Sequence, residues 1–309
     1  DGALQVAAQG SASADGLRQL PALAALAAPL HGQAAWRGTL GFGDAGVALT
    51  LHSDLAGMAL DLPPPLAKPA ASALPLQLQL SPLAEAAAPG QGRDRLEIQL
   101  GQAGELLNAR FERETDAATG STRVLRGRVA VRDALPPPGA DGVHAALNLG
   151  RVDLDAWRAL AARASAGDSG SFAAYAPRHI ALRAEELRVA GRTLSRLQAV
   201  LDHERGTAAK LWRAQIASDQ LAGDIEYREP AADPPAAQLS ARLQRLVLQR
   251  ASAGAADSLP GRTPPRLPGL DLVIDDFELH GRKLGRLQVA AVNRAGPTGR
   301  REWQLDRLE

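Results

Sequence analysis

The sequence of 309 residues contains no cysteine. Disulfide bonds, thiolate nucleophiles and cysteine-ligated zinc are therefore excluded together. Aromatic residues make up only 3% of the chain, which is few for a protein that stacks single-stranded nucleic acid on its rings. Lysine plus arginine (35) nearly equals aspartate plus glutamate (34), so no net charge attracts the chain to phosphate. We therefore expect no nucleic acid among its partners.

Long hydrophobic runs are also missing. The longest run, Leu20–Leu30, contains two prolines and is shorter than the roughly 18 residues that a membrane-spanning helix needs. The chain starts at Asp1-Gly2 without an initiating Met and without the pattern of a signal peptide. We therefore expect it to be an excised piece of a longer protein.

The sequence is instead rich in short alternating segments. Apolar residues, mostly Leu, Ala and Val, make up 45% of the chain, and they alternate with polar residues in about fourteen short segments separated by Gly, Pro or Asp. The clearest helical spacing covers Asp153–Ala166. A sheet of so many strands has to curl or fold. The pattern predicts a mainly β fold: a long antiparallel meander curled into an open groove, a trough or half-barrel, with one or two short helices.

Part of the chain is repeated. Ile180–Leu201 aligns with Leu270–Ala291 at an offset of 90 residues, and the aligned pairs include Gly191 with Gly281. Internal repetition of a β-unit favours an elongated architecture over a single closed active-site fold. We predict a first meander over 1–170 with a helix at 153–166. A second meander over 171–309 would carry the repeated unit at 180–214 and 270–305, and the two would form one continuous elongated sheet.

Two motifs resemble sites of known chemistry. Gly41–Gly46 fits G-x-G-x-x-G, but a dinucleotide site needs a helix to follow, and period-two alternation follows instead, which predicts a hairpin turn. Gly167-Asp168-Ser169-Gly170 looks like the nucleophile segment of chymotrypsin-like proteases. The scattered histidines supply no base near that serine, and a loop rich in Gly and Ser explains the segment better.

Paired carboxylates and tryptophans occupy equivalent places in the repeat. Glu185-Glu186 and Asp275-Asp276 cannot act as dyads, because adjacent strand residues point to opposite faces. They predict bulges at which the apolar phase shifts, although a hydrolase built on Asp275/Asp276 or on Ser169 stays a remote alternative. Trp212 and Trp303 close the two copies, and we expect them to anchor the core. No histidine spacing predicts a metal site, and we expect no catalytic residue, no metal and no cofactor.

Several segments resemble the periplasmic region of the YhdP family, whose members are AsmA-like and more distantly related to TamB. The resemblance is carried by GMALDLPPPLAKPAASALPL at 57–76, LNLGRVDLDAWRAL at 147–160, DQLAGDIEYRE at 219–229 and PGLDLVIDDFELHGRKLGRL at 268–287. These motifs are patterns of Leu, Gly and Pro without catalytic residues. The order of the motifs and the internal repeat strengthen the match.

The resemblance implies a function in the Gram-negative envelope. Proteins of this family are anchored to the inner membrane by an N-terminal helix, extend through the periplasm as long sheets with an apolar lining, and are thought to carry phospholipids to the outer membrane. For this chain it implies a C-terminal periplasmic fragment that binds phospholipid or fatty acyl chains. It also implies an inner-membrane anchor in the full-length protein, an outer-membrane partner and a role in outer membrane biogenesis.

The candidates for an apolar lining are the strand residues that alternate in phase. An acyl conduit needs a continuous apolar strip, because each CH₂ kept from water contributes about 0.8 kcal/mol. The same residues would fill the core of a closed β-sandwich that scaffolds envelope components without a ligand, and alternation alone does not separate the two. The candidates are Val47, Leu49, Leu51, Leu76, Leu78, Leu80, Leu96, Ile98, Leu100, Leu147, Leu149, Ile180, Leu182, Leu270, Leu272 and Ile274.

Overall fold

A computed structural model of the chain describes most of its residues. The described residues are 4–20, 27–43, 46–83, 90–139, 141–164, 174–205, 209–230, 237–249, 268–295 and 301–309. They belong to two compact units, unit 1 with residues 1–149 and 156–177, and unit 2 with residues 150–155 and 178–309.

The described part of the chain is mainly β, as the alternating segments predict. The first half carries a short helix α1 (Ala14–Arg18), a 3-10 turn (Gln102–Gly104) and strands β1 (Leu4–Ser13), β2 (Leu30–Gly43), β3 (Gly46–Ser53), β4 (Met58–Leu60), β5 (Leu76–Leu83), β6 (Gln91–Leu100), β7 (Leu107–Asp116), β8 (Thr122–Val131) and β9 (Gly142–Asp153). Helix α2 (Leu154–Ala164) follows and confirms the predicted helix. The second half carries β10 (His179–Val189), β11 (Arg192–Arg205), β12 (Ala209–Ala217), β13 (Leu221–Pro230), β14 (Gln238–Leu248), β15 (Gly269–Leu279), β16 (Arg282–Ala295) and β17 (Arg301–Leu308).

Most strands pair with their neighbours in sequence, as in a meander. In unit 1, β1, β2 and β3 pair antiparallel in turn, β3 pairs with β5, and antiparallel pairing continues through β8. Strand β4 pairs with the start of β2 instead. In unit 2, antiparallel pairing runs from β10 to β14 and from β15 to β17.

Each unit contains one parallel pair, which the meander prediction did not include. Strands β8 and β9 are parallel, and so are β14 and β15. A parallel neighbour requires a connection that returns to the same end of the sheet. The chain at these two places contains several prolines: Pro136-Pro137-Pro138 lies between β8 and β9, and residues 249–268, of which 250–267 lie outside the described residues, separate β14 from β15.

The two copies of the repeat form matching hairpins. Strands β10 and β11 are joined at Ala190-Gly191, and β15 and β16 at His280-Gly281. All four turn residues have positive φ angles, between 49° and 82°, as a two-residue type I′ turn requires. Glycine adopts a positive φ angle without strain, so only the first of the two turn residues is strained. The repeated hairpin is therefore confirmed.

The apolar phase shifts at the carboxylate pairs, as predicted. Ile274 and Phe277 are buried while Asp275 and Asp276 between them are exposed, and the pairing register with β16 shifts there. In the first copy Ala184 and Leu187 are buried around the exposed Glu185-Glu186 pair. No register shift accompanies that first pair; instead Arg196, on the facing strand, takes a positive φ of 52°.

Each unit contains a cluster of buried apolar residues. In unit 1 the buried residues Ala109, Phe111 and Val143 pack together. In unit 2 the cluster is formed by Ala241, Leu243, Ile274 and Phe277. Buried residues of the core are often alanine, and Ile274 and Val143 are the largest side chains less than 2% exposed among the described residues.

A buried lysine fastens the connection between β3 and β5. The side chain of Lys68 is 6% exposed, and its Nζ donates hydrogen bonds to the carbonyl oxygens of Leu55 (2.8 Å), Met58 (2.7 Å) and Pro69 (3.2 Å). Burial lowers the pKa of Lys68, and the nearby charge of Asp54 partly opposes this effect. Three donors on one ammonium group thus match three carbonyl oxygens.

Candidate functional site

Strand pairing aligns the apolar residues of unit 1 in rows that cross the sheet. Alternate residues of a strand lie on one face, and residues that are directly paired across strands share that face. Successive pairs therefore define three neighbouring rows on one face. The first row is Val6, Leu40, Leu49, Leu80, Leu96, Phe111, Gly127 and Val143; the second is Ala8, Gly38, Leu51, Leu78, Ile98, Ala109, Val129 and Ala145; the third is Ser53, Leu76, Leu100, Leu107, Val131 and Leu147.

One glycine in these rows makes room for an aromatic ring. A Cβ added to Gly127 would lie 2.5 Å from Phe111 Cδ1 and 3.1 Å from Val143 Cγ2. Phe111 itself is 5% exposed. The ring of Phe111 therefore lies over the backbone of β8, and the absence of a side chain at residue 127 is what permits this close packing.

Unit 2 repeats the arrangement with its own eight strands. Its rows also combine Leu, Ile, Val and Ala, and one row is aromatic at one end. The rows are Ile180, Leu201, Ala214, Ile225, Ala241, Leu272, Val289 and Leu308; then Leu182, Ala199, Ile216, Gly223, Leu243, Ile274 and Leu287; then His203, Trp212, Tyr227, Leu239, Leu270, Ala291 and Leu305. We call the face that carries these rows the apolar face of each unit.

The opposite face of each unit is polar. Cross-strand ion pairs cover it, in which arginine and carboxylate side chains from neighbouring strands lie within hydrogen-bonding distance or slightly beyond. In unit 1 these pairs include Arg93–Glu114, Arg95–Glu112, Arg110–Glu97, Arg123–Glu114 and Arg126–Glu112. In unit 2 they include Arg213–Glu204, Arg213–Glu226 and Arg242–Asp271, and Arg228 pairs with Glu226 two residues away on the same strand.

Hydrogen bonds stabilise the ionised form of one of these carboxylates. Arg123 and Arg93 donate to Glu114 at 2.7 and 3.1 Å. These hydrogen bonds, that from Arg123 first, lower the pKa of Glu114 below its ordinary value. Glu114 is buried beneath these arginines, with 7% exposure, so its two cross-strand partners compensate its charge.

The apolar face is only partly covered. Of the sixteen lining candidates, Ile274 is buried, with 1% exposure, and Val47 is exposed, at 44%. The other fourteen are half-buried, and all sixteen candidates lie in described strands. Fourteen of them belong to the rows above, and Val47 and Leu149 lie outside these rows. A dry sandwich core would bury most of these side chains.

Several row residues escaped the sequence interpretation. Leu107, Ala109 and Phe111 alternate in β7, and Gly127, Val129 and Val131 alternate in β8. That alternation was visible in the sequence and could have identified them. Leu40 in β2 was missed as well. Val6, in contrast, lies in β1, which has too many small residues to be predicted as a strand.

One edge of the apolar face of unit 1 carries a charged pair. Beyond Leu96 and Phe111, on the same face, Arg113 donates two hydrogen bonds to Asp94, at 2.7 and 3.1 Å. The two side chains are only 17% and 18% exposed. Arg113 also donates to the hydroxyl of Tyr175 (3.1 Å), whose ring meets the ring of Phe111 edge-on with centroids 5.0 Å apart.

The surroundings of Arg113 favour its charged form. Burial alone would lower the pKa of Arg113, but its hydrogen bonds to Asp94 and Tyr175 raise the pKa above its ordinary value. The guanidinium therefore stays charged beside the apolar rows, held by its two hydrogen bonds to the carboxylate of Asp94.

The corresponding edge in unit 2 is aromatic and charged. His203 is buried and stacks on Trp212, with ring centroids 4.1 Å apart and planes 13° from parallel. Trp212 is paired with Tyr227 on the next strand, and one step further out Lys210 is paired with Glu229, Nζ to Oε2 3.5 Å.

The two tryptophans of the repeat differ in exposure. Trp212 is half-buried, whereas Trp303 is 38% exposed and donates a hydrogen bond from Nε1 to the carbonyl oxygen of Pro268 (3.1 Å). The expectation that Trp303 anchors the core was therefore wrong. Strand β17 pairs with β16 at the end of unit 2, where few neighbours cover the ring.

One hollow of unit 1 lies mainly on the polar side. It has a volume of about 730 Å³, and its walls include Gln9, Arg37, His52, Gln77 and Gln99. These five residues are aligned across β1, β2, β3, β5 and β6 on the face opposite the apolar rows. Their amide and charged groups do not suit an acyl chain.

The other motifs of the sequence lie at strand positions where the structure describes them. Gly43 pairs with Gly46 in the antiparallel β2–β3 pair, so a strand and not a helix follows the first glycines of the G-x-G-x-x-G segment, while residues 44 and 45 lie outside the described residues. Glu186 pairs with Arg151 (3.2 Å) and Asp275 lies 3.9 Å from Arg286, and both carboxylates are exposed. Ser169 and its neighbours lie outside the described residues.

The described residues also assemble no metal centre. No group of three His, Asp or Glu side chains converges there as metal ligands would. The described helices are also all too short or too polar to span a membrane.

Comparison with known proteins identified one family. A family model described as YhdP protein matches residues 1–309, the whole chain. No curated protein and no solved structure matches the chain.

Proposed function

The chain belongs to the YhdP family of bacterial envelope proteins, and from this premise we propose that it binds lipid acyl chains on its apolar faces and conducts phospholipids between the inner and outer membranes. In this proposal the chain has no enzymatic activity and acts in the periplasm. In the full-length protein an anchor attaches it to the inner membrane, and a protein at the outer membrane receives the lipid.

The partial exposure of the apolar rows is the observation that carries this proposal. Contiguous apolar surface that remains accessible is typical of binding sites in soluble proteins. In each unit the rows cross eight strands, which at about 4.8 Å between strands corresponds to about 34 Å. Along a strand, three rows occupy about 14 Å, because alternate residues are about 6.8 Å apart. A strip of this size can accommodate an acyl chain.

The energetics favour a continuous strip over a chemical site. Exposing a sixteen-carbon chain to water costs on the order of 12 kcal/mol, at about 0.8 kcal/mol for each CH₂. A lipid that moves from row to row keeps most of this contact at every step. Transport then needs neither a nucleophile nor a metal, only rows without a polar interruption.

A matched pair of variants in β5 tests the proposal. Leu78 lies on the apolar face and Gln79, the next residue, lies on the polar face. Leu78→Asp places a charge within the strip, whereas Gln79→Asp places the same charge in solvent. Each purified chain is incubated with vesicles of phosphatidylethanolamine and phosphatidylglycerol, separated from them, and extracted for lipid mass spectrometry.

We expect the unmodified chain and Gln79→Asp to retain stoichiometric phospholipid and Leu78→Asp to lose most of it. Circular dichroism and thermal melting establish that both variants fold. If the unmodified chain retains no lipid in repeated trials, the transport proposal fails, and a closed β-sandwich scaffold without a ligand becomes the better interpretation. If Leu78→Asp and Gln79→Asp retain equal amounts of lipid, the lipid does not bind to the apolar face.

A further inference from the structure

The apolar face of unit 2 changes character along its strands. In β12 the residues on this face are, in order, Ile216, Ala214, Trp212 and Lys210, an apolar pair followed by an amphipathic ring and then a charge. In β13 the order is Gly223, Ile225, Tyr227 and Glu229. The face therefore passes from apolar through aromatic to charged within about 20 Å, at 3.4 Å per residue.

The charged end of this face forms a rim. We define the rim of unit 2 as His203, Trp212, Tyr227, Lys210 and Glu229. The ring stack of His203 on Trp212 and the ion pair of Lys210 with Glu229 connect three neighbouring strands. Tryptophan and tyrosine combine an apolar ring with a polar group, and for this reason they concentrate where hydrocarbon meets polar headgroups.

Unit 1 ends its apolar rows in the same way. Its rim consists of Phe111, Tyr175, Arg113 and Asp94. The aromatic contact lies at the end of the rows, and the ion pair lies one step beyond it on the same face. Two units with different sequences at these positions thus have the same order of apolar, aromatic and charged groups.

The opposite edge of the apolar face has no such rim in the described part of unit 2. There Leu221 pairs with Leu246, and Leu246 pairs with Phe277 on the next strand. These residues pack on the buried cluster around Ile274. The face is therefore polar at one edge and apolar at the other.

We propose that the rims are tracks for zwitterionic phospholipid headgroups, so that a lipid such as phosphatidylethanolamine crosses the strands with its headgroup on the rim and its acyl chains over the rows. This inference rests on the proposed function. It adds the orientation of the lipid and the class of headgroup.

The charges of the rims indicate the headgroup. Each rim presents one cation and one carboxylate in contact, Lys210 with Glu229 and Arg113 with Asp94. A phosphoethanolamine group also carries one charge of each sign, and the two can exchange partners with the rim without leaving a charge unpaired. A phosphoglycerol group carries only the negative charge and would leave the rim carboxylate without a partner.

The dimensions of the face agree with this orientation. Glu229 and Leu221 are eight residues apart on β13, which is about 27 Å at 3.4 Å per residue. One leaflet of a bilayer contributes about 15 Å of hydrocarbon, half of the roughly 30 Å core. The face therefore has room along each strand for one acyl layer and a headgroup, while movement along the rows carries the lipid from strand to strand.

A charge change at the rim of unit 2 tests the headgroup assignment. Glu229→Lys places two cations at the rim, while the exchanged pair Lys210→Glu with Glu229→Lys restores one charge of each sign. Asp224→Lys is the matched control, since Asp224 lies on the polar face of the same strand and is exposed. Each chain is incubated with vesicles of equimolar phosphatidylethanolamine and phosphatidylglycerol, and the retained lipids are quantified by mass spectrometry.

We expect the unmodified chain to retain mainly phosphatidylethanolamine. Glu229→Lys should shift the retained ratio towards phosphatidylglycerol about threefold to fivefold, the effect of a partly exposed ion pair, with the total lipid unchanged. The exchanged pair and Asp224→Lys should keep the original ratio. An unchanged ratio in Glu229→Lys, with lipid still bound, overturns the headgroup assignment alone, whereas absence of lipid from the unmodified chain overturns the proposed function as well.

The orientation has its own measurement. Replacement of Trp36, Trp157 and Trp303 by Phe leaves Trp212 as the only tryptophan of the four in the chain. Phosphatidylethanolamine brominated near the glycerol should then quench Trp212 fluorescence more strongly than lipid brominated near the chain end. Stronger quenching by the distal bromines would reverse the orientation and refute the role of the rim.

Discussion

Two residues of β15 should respond very differently to the same truncation. Ile274 is 1% exposed within the buried cluster of unit 2, whereas Leu272, two residues earlier on the same face, is half-buried in the apolar rows. Ile274→Ala removes three carbon atoms, about 2.4 kcal/mol of transfer free energy, and leaves a cavity in addition. We expect it to lower the free energy of unfolding by about 3–4 kcal/mol.

Leu272→Ala removes the same number of carbon atoms at the edge of that cluster. Part of the side chain already contacts water, and an open surface leaves no enclosed cavity, so we expect a loss of about 1–2 kcal/mol. Urea unfolding of delipidated protein, followed by the fluorescence of Trp212 and Trp303 in unit 2, measures both changes as shifts of the midpoint at constant slope.

Bound lipid should change only one of the two values. If acyl chains cover the rows, phosphatidylethanolamine should increase the cost of Leu272→Ala and leave that of Ile274→Ala unchanged. Equal costs for the two variants in delipidated protein would refute the reasoning, because they would mean that Leu272 already lies in a closed dry core.

Three further predictions concern the framework of unit 1. Lys68→Met should lower the free energy of unfolding by about 2–4 kcal/mol, because three buried carbonyl oxygens lose a charged donor; chemical denaturation measures it, and a loss below 0.5 kcal/mol would contradict the buried contact. Gly127→Val should lower the thermal midpoint by several degrees or prevent folding, because its side chain would overlap the ring of Phe111; a Phe111→Ala background should relieve the defect, and failure of that rescue would argue against the overlap. The folded-state pKa of Glu114 is lowered, so its ion pairs stabilise the fold above the unfolded pKa near 4.5, and this stabilisation is lost as the pH falls through the folded-state pKa. Glu114→Gln should therefore make the free energy of unfolding fall less steeply between pH 5 and pH 2. The same steepness in Glu114→Gln and in the unmodified chain would exclude this contribution.

The sequence predicted which residues share a face, because that depends only on the period of a strand. Leu76, Leu78 and Leu80 alternate with glutamine, and any extended chain places three such residues on one side. The type I′ turn at His280-Gly281 and the helix after Asp153 were likewise local properties. Gly281 lies within the turn itself, and Asp153 and the apolar spacing of the helix lie next to each other in the chain.

Elements without a local signal were missed. Strand β1 carries mostly small and polar residues, and it becomes a strand through its pairing with β2. The parallel pairs depend on connections that return across the sheet, and nothing within β14 or β15 encodes their relative direction. Trp303 occupies the same place in the sequence repeat as Trp212, but it lies in the last strand of unit 2 and is exposed.

The sequence by itself determined most of the secondary structure and the two faces of those strands, since these follow from periodicity over a few residues, and it also contains the internal repeat. Only the tertiary structure decided that Leu49, Leu80, Leu96 and Phe111 form one row, and that charged pairs such as Arg113 and Asp94 end the rows on the same face. Register and exposure arise from contacts between residues distant in the chain, and the character of the proposed lipid surface depends on both.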